Sequence, residues 1–451
     1  MQDMYDMIIK GGTILTMDPA NPRIENGTIC VSGNLIKRLI ARDEPSLTGR
    51  SVIQAAGKVI LPGLINAHTH LFQTLLRGSL NDLPLVAWLR SVYAVGNYLT
   101  MEENALGATI GCLESIRSGV TTVVEHAFLH PSPSHTDAVV SVFTQMGVRG
   151  VLCRAAMDSG DLAPDRMKQD IDTIVKDWAR LAESCQDKQD AMMGIMVGPN
   201  TPGINTSSDL IIASKKFADD HQLIWNPHIA ESKDINERVR AAYGLEGVVE
   251  YLHSLGVLGP NLLAAHCVHL NPEEVRLLAS SGGSVVYNPV SNMFLGDGIA
   301  PVVDLLREGA IVCMGTDGAC SNISQDMFEV MKAGSLLQKI RYGAQALPCE
   351  QVLKMVTLDA ATALGLEDKI GSVQEGKLAD LIILNLHSKA HNATIHSLPA
   401  TIVYGAKSTD VETVIINGKV VMECAEIKGV DEQRVIQNAQ RAGLRLAEKC
   451  F

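Results

Sequence analysis

The stretch LINAHTH, residues 64–70, is a short apolar run that ends in two histidines separated by one residue. Similar apolar runs follow it at residues 121–124, 150–152, 194–197, 223–225, 262–265, 284–286 and 311–314. Helical stretches separate these runs, for example at residues 137–146, 165–184 and 271–279. Strands that alternate with helices indicate parallel βαβ units, and eight such strands are the number that a (β/α)8 barrel needs. A doubly wound open sheet is the alternative, but no GxGxxG motif follows any of the strands.

The two ends of the chain differ from this middle, because they consist of short strands and tight turns. Pairs of apolar runs lie at 28–31 and 35–36 around Ser32-Gly33-Asn34, at 51–53 and 59–61 around Ala56-Gly57-Lys58, and at 411–416 and 419–422 around Asn417-Gly418. Each pair predicts a β-hairpin, and Asn-Gly suits the type I′ turn of a two-residue loop.

These patterns predict an α/β fold, a (β/α)8 TIM barrel with a small β-sandwich domain built from both termini. We expect residues 1–60 plus 366–425 to form the sandwich and residues 61–365 to form the catalytic barrel. Residues 426–451 should form a C-terminal helix. Val435, Ala439, Ala442 and Leu446 share one face of its amphipathic pattern.

Composition excludes several classes of partner. The chain carries 38 basic against 50 acidic residues, a net charge of −12, which disfavours nucleic acid and anionic membranes. It has no run of 18 apolar residues and no evident signal peptide, so we expect no membrane association and a cytoplasmic location. Its ten cysteines include no CxxC pair, which favours reduced, buried thiols.

Polar residues stand where the apolar runs end, as a barrel enzyme requires. His68 and His70 lie on an extended segment, so their side chains point to one face, where two imidazoles suit a divalent transition metal. Other runs lead into His228 with Glu231, into His266, and into Asp317. Each residue alone is an ordinary core, surface or turn residue. Together, at strand ends that the barrel brings to one face, they indicate a metal site.

The chain resembles the amidohydrolase superfamily, in the branch of cytosine, guanine and S-adenosylhomocysteine deaminases and triazine hydrolases. The resemblance spans nearly the whole chain, and residues 68–78 and 398–423 are most similar to the triazine hydrolases. The matching segments are LPGLINAHTH (61–70), PHIAES (227–232), AHCVH (265–269), SNM (291–293), GIAP (298–301), GTDGACSN (315–322), GSV (371–373) and EGKLAD (375–380).

The resemblance implies roles for particular residues. The implied metal ligands are His68, His70, His228 and Asp317. Glu231 corresponds to the proton shuttle, and His266 to a residue beside the metal or its water that binds the metal in some relatives. Binuclear relatives carry a lysine at the end of strand 4, whereas this strand continues into Gly198-Pro199-Asn200. One divalent metal is therefore expected, either Zn²⁺ or Fe²⁺, with Zn²⁺ preferred.

We expect hydrolysis through a metal-bound hydroxide, with Glu231, His266 and Asp317 as catalytic residues. Asp317 takes the proton of the water, Glu231 protonates a ring nitrogen, and His266 polarises the nucleophile or steadies developing charge. The predicted substrate contacts are Gln73, Trp88, Asn200 and Ser321. For Trp88, a helix-face core position is an equal alternative to stacking on a flat ring.

The predicted function is a metal-dependent hydrolytic deaminase that releases ammonia from an amino-substituted N-heteroaromatic ring, namely a purine, pterin, pyrimidine or s-triazine. The alternatives are release of chloride or alkylamine from an s-triazine, as in atrazine chlorohydrolases, and deamination of S-adenosylhomocysteine or methylthioadenosine. Nucleoside deaminases of the family carry histidine where this chain has Asn200, which argues for a free base, pterin or triazine. A homo-oligomer is expected from the family alone.

Overall fold

The structure is a computed structural model that describes residues 4–41, 47–185 and 191–451. Its strands are β1 (Met4–Leu15), β2 (Arg23–Ser32), β3 (Leu35–Ile40), β4 (Thr48–Gln54), β5 (Val59–Pro62), β6 (Leu64–Thr69), β7 (Val120–Ala127), β8 (Arg149–Ala156), β9 (Met193–Pro199), β10 (Ile224–Trp225), β11 (His228–Ile229), β12 (Leu263–His266), β13 (Ser284–Tyr287), β14 (Ile311–Met314), β15 (Leu381–Leu384), β16 (Val411–Ile416), β17 (Lys419–Glu423) and β18 (Glu426–Ile427).

The helices lie mainly between the strands of the middle segment. They are α1 (Leu85–Val95), α2 (Met101–Arg117), α3 (Pro133–Met146), α4 (Ile171–Ser184), α5 (Ser208–Asp220), α6 (Lys233–Tyr243), α7 (Val248–Ser254), α8 (Pro272–Ser280), α9 (Pro289–Phe294), α10 (Val302–Arg307), α11 (Met327–Tyr342), α12 (Cys349–Met355), α13 (Leu358–Ala363), α14 (Leu398–Ala400) and α15 (Glu432–Cys450). Within the described ranges, no helix is both long and apolar enough to span a membrane.

The middle strands form two parallel sheets, ordered β10-β9-β8-β7-β6 and β11-β12-β13-β14. Asn226 and Pro227 separate β10 from β11, but both short strands adjoin β12, because Trp225 bridges Leu262 and His228 pairs with Ala265. The two pieces therefore act as the fifth of eight strands. The predicted barrel is confirmed.

Side chains help to close the barrel between its first and last strands. The Asn66 amide donates to the Thr316 hydroxyl at 2.8 Å, and the Thr316 backbone N–H donates to Asn66 Oδ1 at 3.0 Å. The Asp317 N–H also donates to the His68 carbonyl at 2.9 Å. These hydrogen bonds hold the residues after β14 directly beside the histidines at the end of β6.

The terminal segments meet in one sheet of nine strands, with β18-β17-β16-β15-β5-β1-β2-β3 in order and β4 paired with β1. The predicted hairpins β2–β3 and β16–β17 are present, and Asn417 and Gly418 both have positive φ, as a type I′ turn requires. The predicted hairpin between 51–53 and 59–61 is wrong. Both of these strands pair in parallel with the long β1, β4 along Met4–Lys10 and β5 at Thr13 and Ile14.

Two predicted helices have nearly the expected bounds, and a third begins later. α3 ends at Met146 and α8 covers Pro272–Ser280. The helix predicted from residue 165 starts at Ile171, because the Asp170 side chain accepts the Thr173 N–H and caps it there. The C-terminal helix α15 buries Ala442 and Leu446, as its amphipathic pattern predicts.

Candidate active site

The residues predicted at the strand ends lie together in the interior of the barrel. His68 lies in β6, His228 begins β11, His266 ends β12, and Asp317 follows β14; all are buried. Four groups have ligand atoms within 4.8 Å of one another: His68–His228–His266, His70–His126–His228, His68–His70–Asp317 and Glu231–His266–Asp317. The parallel barrel thus brings together side chains that are up to 249 positions apart, counted from His68 to Asp317.

Backbone carbonyls orient two of the imidazoles. His70 Nδ1 lies 2.7 Å from the His126 carbonyl oxygen, and His228 Nδ1 lies 2.9 Å from the Asn200 carbonyl oxygen. Each Nδ1–H therefore donates to a carbonyl, and each Nε2 keeps a lone pair. These two Nε2 atoms face each other at 3.3 Å. Two lone pairs at this distance repel each other unless a cation lies between or beside them.

The other donors point to the same place. Asp317 Oδ1 lies 3.2 Å from His70 Nε2 and 3.7 Å from His68 Nε2. In the part of the chain that the structure describes, neither ring nitrogen of His68 has a hydrogen-bond partner, although the ring is fully buried. Buried polar atoms normally have partners. Imidazole and carboxylate donors of this kind fit one divalent transition metal.

Electrostatics in the site favour neutral rings at His68 and His228 and a charged carboxylate at Asp317. Burial and the neighbouring histidines lower the pKa of His68 and of His228 well below the ordinary value. Burial also lowers the pKa of His70, but the hydrogen bond and charge of Asp317 outweigh it and raise that pKa. Burial opposes ionisation of Asp317, yet its contact with His70 holds its pKa well below the ordinary value. Neutral imidazole and ionised carboxylate are the metal-binding forms.

Glu231 and His266 form the second half of the site. Burial, together with the charges of Asp297 and Asp317, raises the pKa of Glu231 well above its ordinary value. Burial lowers the pKa of His266 to about 4. His266 Nδ1 lies 3.6 Å from Glu231 Oε1, and its Nε2 lies 4.0 Å from Asp317 Oδ2. These shifts favour a protonated carboxyl at Glu231 and a neutral imidazole at His266, and both groups lie within 4.8 Å of the Asp317 carboxylate.

The cavity between these groups is small. It has a volume of about 20 Å³, which is room for about one water molecule. Beyond the metal-site residues, its lining is Trp88, Leu89, Tyr93, Phe128, Asn200 and Thr201. Three of these, Trp88, Leu89 and Tyr93, lie on α1. A ring-shaped substrate is larger than this cavity, and α1 forms one of its walls.

The four predicted substrate contacts fall into two pairs. Trp88 and Asn200 line the cavity, whereas Gln73 and Ser321 are absent from its described lining. Ser321 Oγ lies 3.4 Å from Asp317 Oδ2 and 2.9 Å from Ser291 Oγ, so it supports the carboxylate. The Gln73 carboxamide packs against Gly318, and neither of its polar atoms has a partner among the described residues. Substrate roles for all four stay predictions.

The structure places further residues beside the predicted site residues. Ser291 Oγ donates to Asp317 Oδ2 at 2.6 Å, and the Asn292 amide nitrogen lies 3.1 Å from His266 Nδ1. Both belong to the SNM segment, so a signal for them existed in the sequence. Tyr93 lies five positions after Trp88 on α1, a weaker signal. His126, the fifth ring of the cluster, has its centroid 4.3 Å from that of His228.

Comparisons with known proteins give matches over most of the chain. The model of the amidohydrolase family matches residues 59–421. A 5-methylthioadenosine/S-adenosylhomocysteine deaminase of Desulforamulus reducens is 36% identical over 99% of this chain and 100% of its own length. A 5'-deoxyadenosine deaminase of Methanosarcina barkeri is 35% identical over 99% of both chains.

Solved structures share the fold. An adenosine deaminase from Xanthomonas campestris with bound zinc superposes with a TM-score of 0.90 and 28% identity, over 99% of this chain and 100% of that one. Atrazine chlorohydrolase from Arthrobacter aurescens in complex with zinc also has a TM-score of 0.90, at 23% identity over 97% of this chain and 100% of that one. The match over most of the chain and the full-length relatives lead to one conclusion: the protein belongs to the amidohydrolase family.

Proposed function

We propose that the protein is a zinc-dependent hydrolytic deaminase that removes an amino group from an N-heteroaromatic ring, with an aminopurine as the favoured ring. The observation that supports this most is the convergence of donor atoms of His68, His70, His228 and Asp317 in the barrel interior, beside a buried cavity that Glu231 lines. The relatives that cover the whole chain are named for adenosine derivatives, which favours the purine. Zinc in two structural neighbours favours that metal.

His68, His70, His228 and Asp317 would hold the cation, since their donor atoms converge. Bound at these residues, a divalent cation would lower the pKa of water at the site toward about 7, which would make a hydroxide nucleophile available at neutral pH. Asp317 accepts the proton of the attacking water, because its carboxylate lies at the centre of the imidazoles. His266 Nε2 lies 4.0 Å from the other oxygen of this carboxylate, Asp317 Oδ2.

Glu231 supplies the proton that makes the ring electrophilic. Its raised pKa keeps the carboxyl protonated until a ring nitrogen next to the amino-bearing carbon accepts that proton. The water oxygen then bonds to the carbon, and the bond to the amino nitrogen breaks. Asp317 passes the proton that it took from the water to the amino group, which leaves as ammonia. The remaining hydroxyl proton returns to Glu231, so water and the aminated ring give ammonia and an oxo ring.

Asn200 bears on whether the substrate is a nucleoside or a free base. Its side chain lies at the cavity wall, where its amide donates to the Tyr93 hydroxyl at 3.0 Å. By the family resemblance, nucleoside deaminases carry histidine here, which favours a free base, whereas the names of the relatives favour a nucleoside. A homo-oligomer and a cytoplasmic location stay predictions from the sequence.

The test is ammonia release by the zinc-loaded protein from adenine, guanine, adenosine, 5'-deoxyadenosine, S-adenosylhomocysteine, cytosine, pterin and melamine. Glu231→Gln removes the acid while keeping the size of the side chain, and should lower kcat by at least about 100-fold. Glu237→Gln is the matched control, because this exposed carboxylate lies on the following helix away from the cavity. Its rate should equal that of the wild type.

Zinc content is measured in every variant, so that loss of the metal is distinguished from loss of the acid. Ammonia release that survives in Glu231→Gln would contradict the proposed chemistry. Failure of the zinc-replete protein on the whole panel would reject deamination, and the same rings bearing chloride or alkylamine would then test the other leaving groups.

A further inference from the structure

Glu125 is a buried carboxyl that the proposed chemistry does not use. It lies near the end of β7 and is 1% exposed. It is absent from the lining of the cavity and from the side-chain groups that could hold a metal in the described part of the chain. It also forms no ion pair with a residue that the structure describes. Burial of a carboxyl without such a partner costs free energy, so the contact that it does make requires an explanation.

That contact is with the backbone directly after a residue of the metal site. The Leu71 N–H donates to Glu125 Oε2 at 2.6 Å. Leu71 begins a short 3-10 helix, Leu71–Leu76, and the first N–H groups of a helix have no partner within it. The residue before a helix often accepts one of them with its side chain. His70 stands in that position and makes no such hydrogen bond.

His70 cannot cap this helix, because its imidazole is used elsewhere. Its Nδ1–H donates to the His126 carbonyl at 2.7 Å, and its Nε2 lies 3.2 Å from Asp317 Oδ1. A carboxyl from the neighbouring strand therefore takes the place of the missing cap. The pairing of β6 with β7 permits this, since Thr69 lies opposite Glu125 and the carboxyl is beside the chain where it leaves β6.

The end of β7 thus holds His70 at two points. The His126 carbonyl orients the imidazole, and the Glu125 carboxyl fixes the peptide that joins His70 to Leu71. Rotation of that peptide would move the imidazole away from the other donors of the metal site. Metal ligands have to be held within about 0.5 Å of their productive positions, and hydrogen bonds from residues around them supply this precision.

We propose that Glu125 is a positioning residue for the metal site, which fixes His70 by accepting the Leu71 N–H in place of a helix cap. The proposal rests on the zinc site of the function proposed above. It assigns Glu125 the role of a hydrogen-bond acceptor and not of a charge, and a carboxyl oxygen and a carboxamide oxygen can both accept an N–H. This difference separates the two variants that test it.

The first measurement is the Kd of zinc, determined by competition with a chelator, which does not depend on turnover. Glu125→Met removes the acceptor at similar volume and should raise this Kd by about 10–100-fold. Glu125→Gln keeps an oxygen acceptor of the same size and should bind zinc as tightly as the wild type.

Glu274→Met is the matched control. This glutamate is also buried and also accepts a backbone N–H, that of Val249 at 3.1 Å, but it lies on α8 and outside the lining of the cavity. Its replacement should therefore lower the stability of the protein through a lost acceptor and leave the Kd of zinc unchanged.

The second measurement tests the contact itself. Histidine precedes leucine at two places in the chain, His70-Leu71 and His269-Leu270. Protein labelled with ¹³C in the histidine carbonyl and ¹⁵N in leucine therefore gives two carbonyl-coupled amide signals, and Leu270→Met identifies the one from Leu71. Both substitutions of Glu125 change the acceptor, so both should shift the Leu71 amide proton, to higher field in Glu125→Met. The Leu270 signal should stay in place.

A folded Glu125→Met protein with the wild-type Kd of zinc overturns the proposal, and so does an equally raised Kd in Glu274→Met. If Glu125→Met does not fold, Glu125→Gln decides: a Leu71 proton that does not move, or a Kd raised by about 10-fold or more, rejects the role of acceptor. Failure of the whole substrate panel, with the zinc constants as expected, rejects the deaminase function and leaves the role of Glu125 supported.

Discussion

Gly318 shows how one absent side chain shapes the site. It directly follows Asp317, and a Cβ at this position would lie 1.9 Å from Oε1 and 2.3 Å from Cδ of Gln73. Both residues are buried, so the carboxamide has little room to retreat. The close contact between Gly318 and Gln73 therefore makes the position of the Asp317 loop depend on the segment that follows His70.

We predict that Gly318→Ala lowers the free energy of unfolding by about 1–3 kcal/mol through overpacking. Displacement of Asp317 should also lower kcat/KM, by up to about 100-fold. Urea unfolding and ammonia-release kinetics measure the two effects. Gln73→Ala in the same protein removes the clashing atoms and should restore part of the stability, and a double variant no more stable than Gly318→Ala would argue against this explanation.

At the scale of elements, a buried ion pair joins the barrel to the terminal sheet. Arg149, at the start of β8, donates from Nε to Asp380 Oδ2 at 2.9 Å and from its Nη2 to Oδ1 at 3.0 Å. Asp380 also accepts the Asn417 N–H at 2.7 Å, and its carbonyl accepts the Gly63 N–H at 2.9 Å. Through its carboxylate and its backbone carbonyl, Asp380 thus connects β8, the entrance to β6 and the β16–β17 turn.

Arg149→Met should destabilise the protein by about 3–5 kcal/mol, because it leaves the Asp380 charge buried without its partner. Asp380→Asn keeps an acceptor for the Asn417 N–H and removes that charge. The double variant should consequently be more stable than Arg149→Met alone, and urea unfolding measures all three. Equal stability of Arg149→Met and wild type would show that the pair does not hold the two parts together.

At the scale of the whole molecule, buried neutral histidines make stability depend on pH. Burial lowers the pKa of His130 to about 3 and that of His266 to about 4, both below the ordinary 6.5. The unfolded chain therefore binds more protons than the folded one below pH 6.5. This contribution to stability is complete above pH 6.5 and is lost progressively as the pH falls toward these folded values.

His130 lies outside the metal cluster, so its contribution to the pH dependence of stability can be measured separately. Its Nε2 lies 2.6 Å from the Ala155 carbonyl oxygen. Between pH 6.5 and 5, its contribution should fall by about 2 kcal/mol, that is 1.5 pH units at 1.36 kcal/mol each. Urea midpoints at several pH values measure the slope, and His130→Gln should flatten it. An identical slope in the variant would show that other groups determine the acid response.

Metal removal should also change the stability of the whole molecule. A cation that binds only the folded protein adds about 2.7 kcal/mol of stability when its concentration is 100 times its Kd. Zinc should therefore raise the unfolding midpoint of protein stripped with a chelator, and His68→Ala should reduce that increase. A midpoint that does not respond to zinc would contradict the metal site.

Most of the architecture was determined by the sequence itself. The alternation of apolar runs and helical stretches specifies a parallel barrel, because each local pattern reports its own element. Parallel strands then bring their carboxyl ends to one face, so the histidines and Asp317 could be placed near one another without a structure. The failed hairpin at 51–61 shows the limit of local pattern, since both strands pair instead with the distant β1.

Only the tertiary structure decided which side chains share an atom-to-atom contact. Gln73 and Ser321 lie close to metal-site residues in the sequence, but neither belongs to the described lining of the cavity. Instead, the Gln73 carboxamide packs against Gly318, and Ser321 Oγ lies 3.4 Å from Asp317 Oδ2. The contact between Asn292 Nδ2 and His266 Nδ1, at 3.1 Å, joins α9 to the end of β12. The physical reason is range: secondary structure follows from neighbours in the chain, whereas hydrogen bonds of about 3 Å depend on how separate elements pack.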